Sequence, residues 1–252
     1  MNALAVFLIA VGVADICRKL SAHQWLALVA GPLTVVVCAA SAGLWHRGDI
    51  ALLVVAAAVS VAWVVLGGAA ERTGTRHGRA LTVFGVGAAL MVAFGGWSSE
   101  VAGPLGRWLP WVGLEGVEPD RAVMILGIVA LQLVTANQLV RLILGAVGAV
   151  RPAGVPQPSD RLKGGRLLGP MERLLIVGLG LGGQFGAASA VIAAKGIIRF
   201  PELNAARKES ADSAGSAGPG IGQGIDEVTE YFLVGSFASW LIALAGLALT
   251  TA

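Results

Sequence analysis

Ile50-Ala51-Leu52-Leu53-Val54-Val55-Ala56-Ala57-Ala58-Val59-Ser60-Val61-Ala62-Trp63-Val64-Val65-Leu66-Gly67-Gly68-Ala69 runs through the chain without a charged residue. A helix of about 20 such residues, rising ~1.5 Å each, matches the ~30 Å hydrocarbon core of a bilayer. Similar apolar runs lie at 3–17, 24–44, 81–97, 122–140, 174–194 and 231–250. They are continuous rather than alternating, which disfavours a closed β-barrel. The expected fold is all-α: a polytopic transmembrane helical bundle of about six or seven spans. The run 3–17 is the shortest and the weakest of the set.

Composition agrees. Hydrophobic residues make up 56% of the chain and charged residues 13%, with a mean hydropathy of +0.79. Soluble domains carry about 25% charged residues. These values exclude a water-soluble globule, and most soluble enzyme classes with it. The net charge is +3 and the pI about 9.2. The basic residues cluster in short loops, as topology signals do, so no nucleic-acid partner is expected. Trp25 and Trp45 bracket the second run and fit the two membrane interfaces, with Trp97 and Trp240 in a similar role. Arg far exceeds Lys, and Ala and Gly are abundant. That composition suits a GC-rich bacterial genome, so the expected location is a bacterial plasma (inner) membrane, multi-pass, with the lipid bilayer as first partner. Cys17 and Cys38 have no CxxC or zinc spacing and read as buried, inert thiols. The N-terminal run lacks preceding basic residues and a small-residue cleavage site, so it reads as an uncleaved first helix.

Loop charges set an orientation. Arg18 and Lys19 follow the first run, and Arg72, Arg76 and Arg79 the third; Arg141, Arg151, Arg161, Lys163, Arg166 and Arg173 follow the fifth. The opposite loops carry Arg47, then Arg107 and Arg121, then Lys195, Arg199, Arg207 and Lys208. The excess favours an outside N-terminus. The run 174–194 strains this reading, because Arg173 precedes it and Lys195 and Arg199 follow it. Either those two face outward or the segment re-enters at its glycines. Pro32 is expected to kink the second helix. The Pro- and Trp-rich stretch 98–120 reads as an interfacial hairpin on the outer face. Residues 1–150 form an N-terminal membrane region of about five helices. Residues 151–172 read as a cytoplasmic linker, and 173–252 as a C-terminal two-helix unit with a mobile loop at 203–225.

Gly178-Leu179-Gly180-Leu181-Gly182-Gly183 satisfies G-x-G-x-x-G after Leu174-Leu175-Ile176-Val177, with Glu202 further on. A dinucleotide reading fails physically, because one βαβ fragment among membrane spans cannot cover both faces of a parallel sheet. Gly178, Gly182 and Gly186 instead give G-x-x-x-G steps for close helix packing. Gln184, Lys195 and Arg199 fall on roughly one helical face. They form either a polar lane for an ion or an anionic substrate, or an interhelical hydrogen bond with two snorkelling basic ends. Gln132, Thr135, Asn137, Gln138 and Arg141 make the densest intramembrane polar cluster, and such groups face a bundle interior or a cavity. A substrate path and plain helix packing both fit it. Asp226, Glu227 and Glu230 open the last helix, and a Lys195–Glu230 pair would close the C-terminal unit. His23, His46 and His77 are isolated near membrane ends. No HExxH, GxSxG, P-loop, GxGD or paired-aspartate transferase motif occurs, so no catalytic residue, cofactor or metal site is assigned.

The C-terminal third contains Lys163-Gly164-Gly165-Arg166-Leu167-Leu168-Gly169-Pro170-Met171-Glu172-Arg173-Leu174-Leu175-Ile176, then Gly183-Gln184, Ala193-Ala194-Lys195-Gly196-Ile197-Ile198-Arg199-Phe200, and Glu230-Tyr231-Phe232-Leu233-Val234-Gly235-Ser236. This pattern resembles the end of an uncharacterised bacterial integral-membrane family, labelled a domain of unknown function. It departs at Gly196, where that family carries Ser, and in an insertion at 209–225. The resemblance implies that Glu172, Arg173, Gln184, Lys195, Arg199, Glu230 and Tyr231 belong to one constellation, and it implies no activity. Three functions are carried forward: a small-solute or ion translocation component, a non-catalytic membrane scaffold or subunit docking a partner protein or a second copy, and a lipid-modifying membrane enzyme.

Overall fold

A computed structural model describes residues 1–21, 23–149, 165–197 and 223–250, the side chains of 165–167 and 223–230 excepted. Residues 151–164 of the expected linker 151–172, Arg199 and most of the loop 203–225 lie outside the described residues, and residues 165–172 of that linker are helical. Among the described residues every regular element is helical. In chain order these are α1 (Asn2–Leu20), α2 (Gln24–Ala42), α3 (Arg47–Thr73), α4 (His77–Ala93), a short 3-10 turn (Gly95–Trp97), α5 (Pro104–Trp111) and α6 (Pro119–Ala130). A π-helical segment (Leu131–Thr135) joins α6 to α7 (Ala136–Ala146), and α8 (Gly165–Leu181), α9 (Phe185–Ile197) and α10 (Gln223–Leu249) follow.

Four helices are long and apolar enough to cross a membrane: Gln24–Ala42, Arg47–Thr73, Pro119–Ala146 and Tyr231–Leu249. Their outward faces match that role. Trp25, Val29, Leu33 and Val36 are exposed along α2, and Leu233, Phe237, Leu241 and Leu244 along α10. Apolar stripes this long do not belong in water.

α1, read from sequence as the weakest run, is the central helix. Asn2 to Gly12 are all buried, as are Ala14 and Asp15, and α1 packs on α2, α3, α4, α6 and the π segment. Small residues allow it. A Cβ on Gly12 would come within 2.9 Å of Ala130 Cβ, and one on Gly127 within 2.8 Å of the Ala5 carbonyl. Lipid tails are as apolar as these side chains, so burial alone gives little drive; close backbone packing and interhelical polar contacts hold the bundle.

The polar contacts show which ends lie together. Asn2 Nδ2 donates to the Ser99 carbonyl at 2.7 Å, and Asp49 accepts from Ser99 N at 2.7 Å and from Ser99 Oγ at 2.8 Å. Asp120 accepts from Val101 N at 2.7 Å, and Gly103 N donates to the Ala42 carbonyl at 3.0 Å. The start of α1, the end of α2, the start of α3, α5 and the start of α6 therefore share one end. Trp45, Trp97, Trp108 and Trp111 are exposed there, as the interfacial reading of 98–120 expects. Trp240 does not join them: it is half-buried against the core partway along α10.

The run 174–194 is not one helix. α8 stops at Leu181, Gly183 takes φ +73°, and α9 begins at Phe185. The left-handed region is available to glycine without a Cβ penalty, which is why the break falls there. Glu172 lies about 14 Å before the break and Lys195 about 15 Å into α9, at ~1.5 Å per residue. Their side chains nonetheless meet at 2.5 Å. That contact requires α9 to fold back along α8 as a helical hairpin. The Glu172–Lys195 pair then lies level with the start of α7, where Arg173, the next residue, meets Asn137. The glycine ladder is corrected with it. A Cβ on Gly178 or Gly186 would meet nothing within 4 Å, whereas Gly180 packs directly on Leu247 of α10. The strand expected by a dinucleotide reading is absent: Leu174 to Val177 are helical.

Candidate functional site

Asp15 sits one turn from the end of the central helix, 0% exposed. Its Oδ2 accepts a hydrogen bond from Trp63 Nε1 of α3 at 3.1 Å and another from Thr135 Oγ1 of the π segment at 2.8 Å. Its Oδ1 lies 3.3 Å from Arg18 Nη2, one turn later on the same helix. Burying a carboxylate costs several kcal/mol, roughly what a close cation and two good donors return at about 1.5–3 kcal/mol per charge-assisted bond. No single partner here would suffice.

Arg18 carries the network outward. Nη1 donates to Glu71 Oε2 at 2.9 Å, and Nη2 donates to Gln138 Oε1. The Glu71 side chain is 34% exposed, so the chain Asp15–Arg18–Glu71 runs from a dry interior to the surface at the end of the bundle where α1 and α3 finish. Lys19 and Arg141 are exposed around the same mouth. Trp63 is fully buried, and its indole packs on Phe84 at 5.2 Å, which in turn packs on Phe7 at 5.5 Å. This aromatic stack fixes the indole N–H on Asp15.

A second knot lies on the other side of the π segment. Arg173 of α8 is 1% exposed. Nη1 donates to Ser239 Oγ of α10 at 3.0 Å; Nη2 donates to the Gln132 carbonyl at 3.0 Å and to Asn137 Oδ1 at 2.7 Å. An uninterrupted α-helix would commit the Gln132 carbonyl to its own ladder. The wider π turn leaves it reachable, which is the usual use of such a bulge. Gln132 also donates through Nε2 to the Ile242 carbonyl at 3.0 Å. Five consecutive residues thus present groups to α1, α8 and α10 at once.

Of the polar residues expected to cluster on the fifth run, Thr135 and Gln138 meet Asp15 and Arg18 of α1, while Gln132 and Asn137 meet Arg173 of α8. Arg141 is exposed and stands apart from them. The C-terminal constellation divides. Glu172 and Lys195 pair across the hairpin, and Arg173 turns the opposite way into the bundle. Lys195 pairs with Glu172; the expected Lys195–Glu230 pair falls on a side chain outside the described residues, as does Arg199. Gln184 is exposed at the hairpin tip, where its carbonyl accepts from Ala188 N at 3.0 Å, and it takes no part in a polar lane with Lys195. Tyr231 is half-buried at the start of the described part of α10.

Sequence reasoning missed Asp15, Arg18, Trp63, Glu71 and Ser239. Asp15 offered a signal: an acid inside an apolar run, three residues before an Arg, is an intramembrane ion pair until shown otherwise. Several buried atoms have no hydrogen-bond partner: Asp15 Oδ1, Arg18 Nε, Gln138 Nε2, Gln132 Oε1 and Arg173 Nε. Among the described residues, no group of three His, Cys, Asp or Glu side chains could hold a metal ion.

No family model, curated protein or solved structure is significantly similar to this chain.

Proposed function

We propose that this chain is a multi-pass membrane component of small-ion translocation, with the Asp15–Arg18–Glu71 network as its ion-handling site. The observation that carries the reading is Asp15: a fully buried carboxylate on the central helix, sharing one guanidinium with a half-exposed carboxylate at the surface. Ionisable groups within membrane segments are expensive and mark ion pathways. A network serving assembly alone would be expected to satisfy its buried polar atoms, because each one left bare costs about 1–3 kcal/mol. Here Asp15 Oδ1, Arg18 Nε and Gln138 Nε2 are bare, as are Gln132 Oε1 and Arg173 Nε in the second knot. The basic residues around Glu71 support reading that mouth as the cytoplasmic end of a bacterial plasma-membrane protein. Folding α9 back brings Lys195 to the same end and relieves the charge conflict of a spanning 174–194. In this reading the α8–α9 hairpin is re-entrant.

A second reading, a membrane scaffold docking a partner, draws on a separate observation. Between the two polar ends, α1 from Ala3 to Gly12 is buried among apolar groups, and among the described residues no polar lane crosses it. The translocation reading takes this as a closed state, since closure on one side is what alternating access requires.

The experiment is charge movement in proteoliposomes of the purified chain, recorded under imposed gradients of protons, sodium, potassium and chloride. Charge movement above empty liposomes supports translocation. Its absence for every ion leaves the scaffold reading.

A further inference from the structure

The chemistry around Asp15 discriminates between ions. Oδ2 faces an indole N–H and a hydroxyl that donates to it. An indole nitrogen has no lone pair to offer, so Trp63 cannot ligate a metal cation, and its polarised hydrogen would repel one. Oδ1 has no hydrogen-bond donor and only the ionic contact with Arg18. A proton needs one free lone pair and no coordination shell, which Oδ1 supplies.

The charge count points the same way. With both carboxylates ionised and Arg18 charged, the triad holds one net negative charge, part of it at a 0% exposed position. One proton makes it neutral. Of the two carboxylates, Glu71 reaches the surface and Asp15 is dry, and a charge in a dry site is the costlier one. Arg18 loses little when Asp15 is protonated, because Nη1 keeps Glu71 and Nη2 keeps Gln138. The other charged groups lie at the rim. Lys19 is the next residue on α1, Arg141 of α7 is near Lys19, and Arg72 of α3 reaches the same space beside Gly68 as Arg18. α2 contains no charged residue, Asp120 and Arg121 of α6 are at the opposite end, and His77 and Arg79 of α4 lie in its first turn, where the His77 ring abuts Gly145. The π segment contributes only the neutral Gln132 and Thr135.

Resting on the translocation reading, we infer that the ion handled is the proton, taken up on Asp15 Oδ1 while Glu71 and Gln138 retain Arg18. The proton comes from hydronium at the Glu71 mouth and ends on Oδ1 once that oxygen is reached: an O–H bond of hydronium breaks, an O–H bond of the carboxylic acid forms, and water is left. No electron transfer is involved. Glu71 sets the acidity at which this happens. Without its charge, the whole field of Arg18 falls on Asp15 and holds it ionised.

The test uses the full chain in liposomes with a pH dye in the lumen and a potassium diffusion potential set by valinomycin. The wild type should carry protons without sodium or chloride, and Asp15→Asn should lose that flux. Glu71→Gln should keep it but shift its pH profile toward lower pH, a change that a merely structural role for Glu71 would not produce. An unshifted Glu71→Gln profile overturns the inference, and so does undiminished proton flux in Asp15→Asn; the Glu71 variant also decides the matter if Asp15→Asn fails to fold. Sodium flux without proton flux overturns the inference and upholds translocation. No flux of any ion overturns translocation itself.

Discussion

Replacing Arg173 should release the α8–α9 hairpin from the bundle. Its guanidinium donates to three neutral acceptors, on α7, α10 and the π segment. Charge-assisted bonds contribute about 1.5–3 kcal/mol each, so three amount to about 4.5–9 kcal/mol before correction. Removing the side chain also removes the cost of burying a cation, several kcal/mol. Two of the acceptors, the Gln132 carbonyl and the fully packed Ser239 hydroxyl, stay dry and lose a donor; Asn137, half-buried, can turn toward another partner. Two dry acceptors left bare at about 1–3 kcal/mol each, together with the lost packing of the side chain, put Arg173→Ala at a loss of about 3–5 kcal/mol. In equilibrium terms that is about a hundredfold to a few thousandfold. The assay is unfolding by SDS titration in mixed micelles, together with thiol labelling of a cysteine at Ile176, which is fully buried on α8, in a background lacking Cys17 and Cys38. The variant should unfold at lower SDS and expose the thiol. Arg173→Met, which restores volume without donors, should behave nearly as badly. A Met variant as stable as the wild type, or an Arg173→Ala variant within about 1 kcal/mol of it and still protected, would refute the idea that these bonds hold the hairpin.

Other outcomes follow from the same contacts. Reversing Glu172 or Lys195 alone should lower the yield of folded protein in detergent, and the double swap Glu172→Lys with Lys195→Glu should restore it; failure to rescue would mean that the 2.5 Å pair is not what closes the hairpin. Gly127→Ala should cost about 1–3 kcal/mol in SDS titration, because its Cβ would press on the backbone of α1, while Gly178→Ala in open space should be neutral or slightly stabilising. Equal effects would argue against the packing assigned to α1. Membrane-impermeant thiol reagents should reach cysteines at Arg72 and Ala194 from one side and at Gly116 from the other; labelling of Ala194 from the Gly116 side would make 174–194 a span. A double-mutant cycle of Thr135→Ala and Arg173→Ala should show a coupling of about 0.5 kcal/mol or more, although neither side chain is bonded to the other. Additivity would mean that the two knots are independent.

Much of the architecture was legible because a bilayer imposes length and polarity on helices. Runs two to five map onto α2, α3, α4 and α6–α7 within a few residues, and the indoles of Trp25 and Trp45 sit exposed at the two ends of α2. What escaped notice depends on three-dimensional partners. α1 is short of charge-free residues because Asp15, Arg18 and Lys19 close it, and a helix with no lipid-facing stripe looks like any weak span until its neighbours are placed around it. The hairpin was an open alternative, since its glycines read equally as a packing ladder and as a break. Only the reach of Lys195 back to Glu172 separates the two. Among the site residues, the amides and hydroxyl of the fifth run were visible as a local cluster. Trp63 and Ser239 were not, because a Trp or a Ser in an apolar run gives no sign of what its polar atom meets.

The π segment is where the two polar knots become one device. Thr135 holds Asp15, and the Gln132 carbonyl, three residues earlier, holds Arg173. A π turn contains about one residue more than an α turn, and relaxing it would rotate everything on one side by about 100° relative to the other. Such a step cannot keep the Thr135–Asp15 bond and the Gln132–Arg173 bond together, because they project from the same five residues toward different helices. Neutralising Asp15 weakens the first bond, since a hydroxyl donates less strongly to an acid than to a carboxylate. If Asp15 takes up a proton as inferred, its charge state would bear on how firmly the hairpin is docked, and hairpin docking would bear equally on the proton, as linkage requires. A conventional α-helix from Pro119 to Ala146 would keep the span but lose this link. That makes the irregular turn, rather than any single charged residue, the element that ties a buried carboxylate on α1 to the C-terminal hairpin.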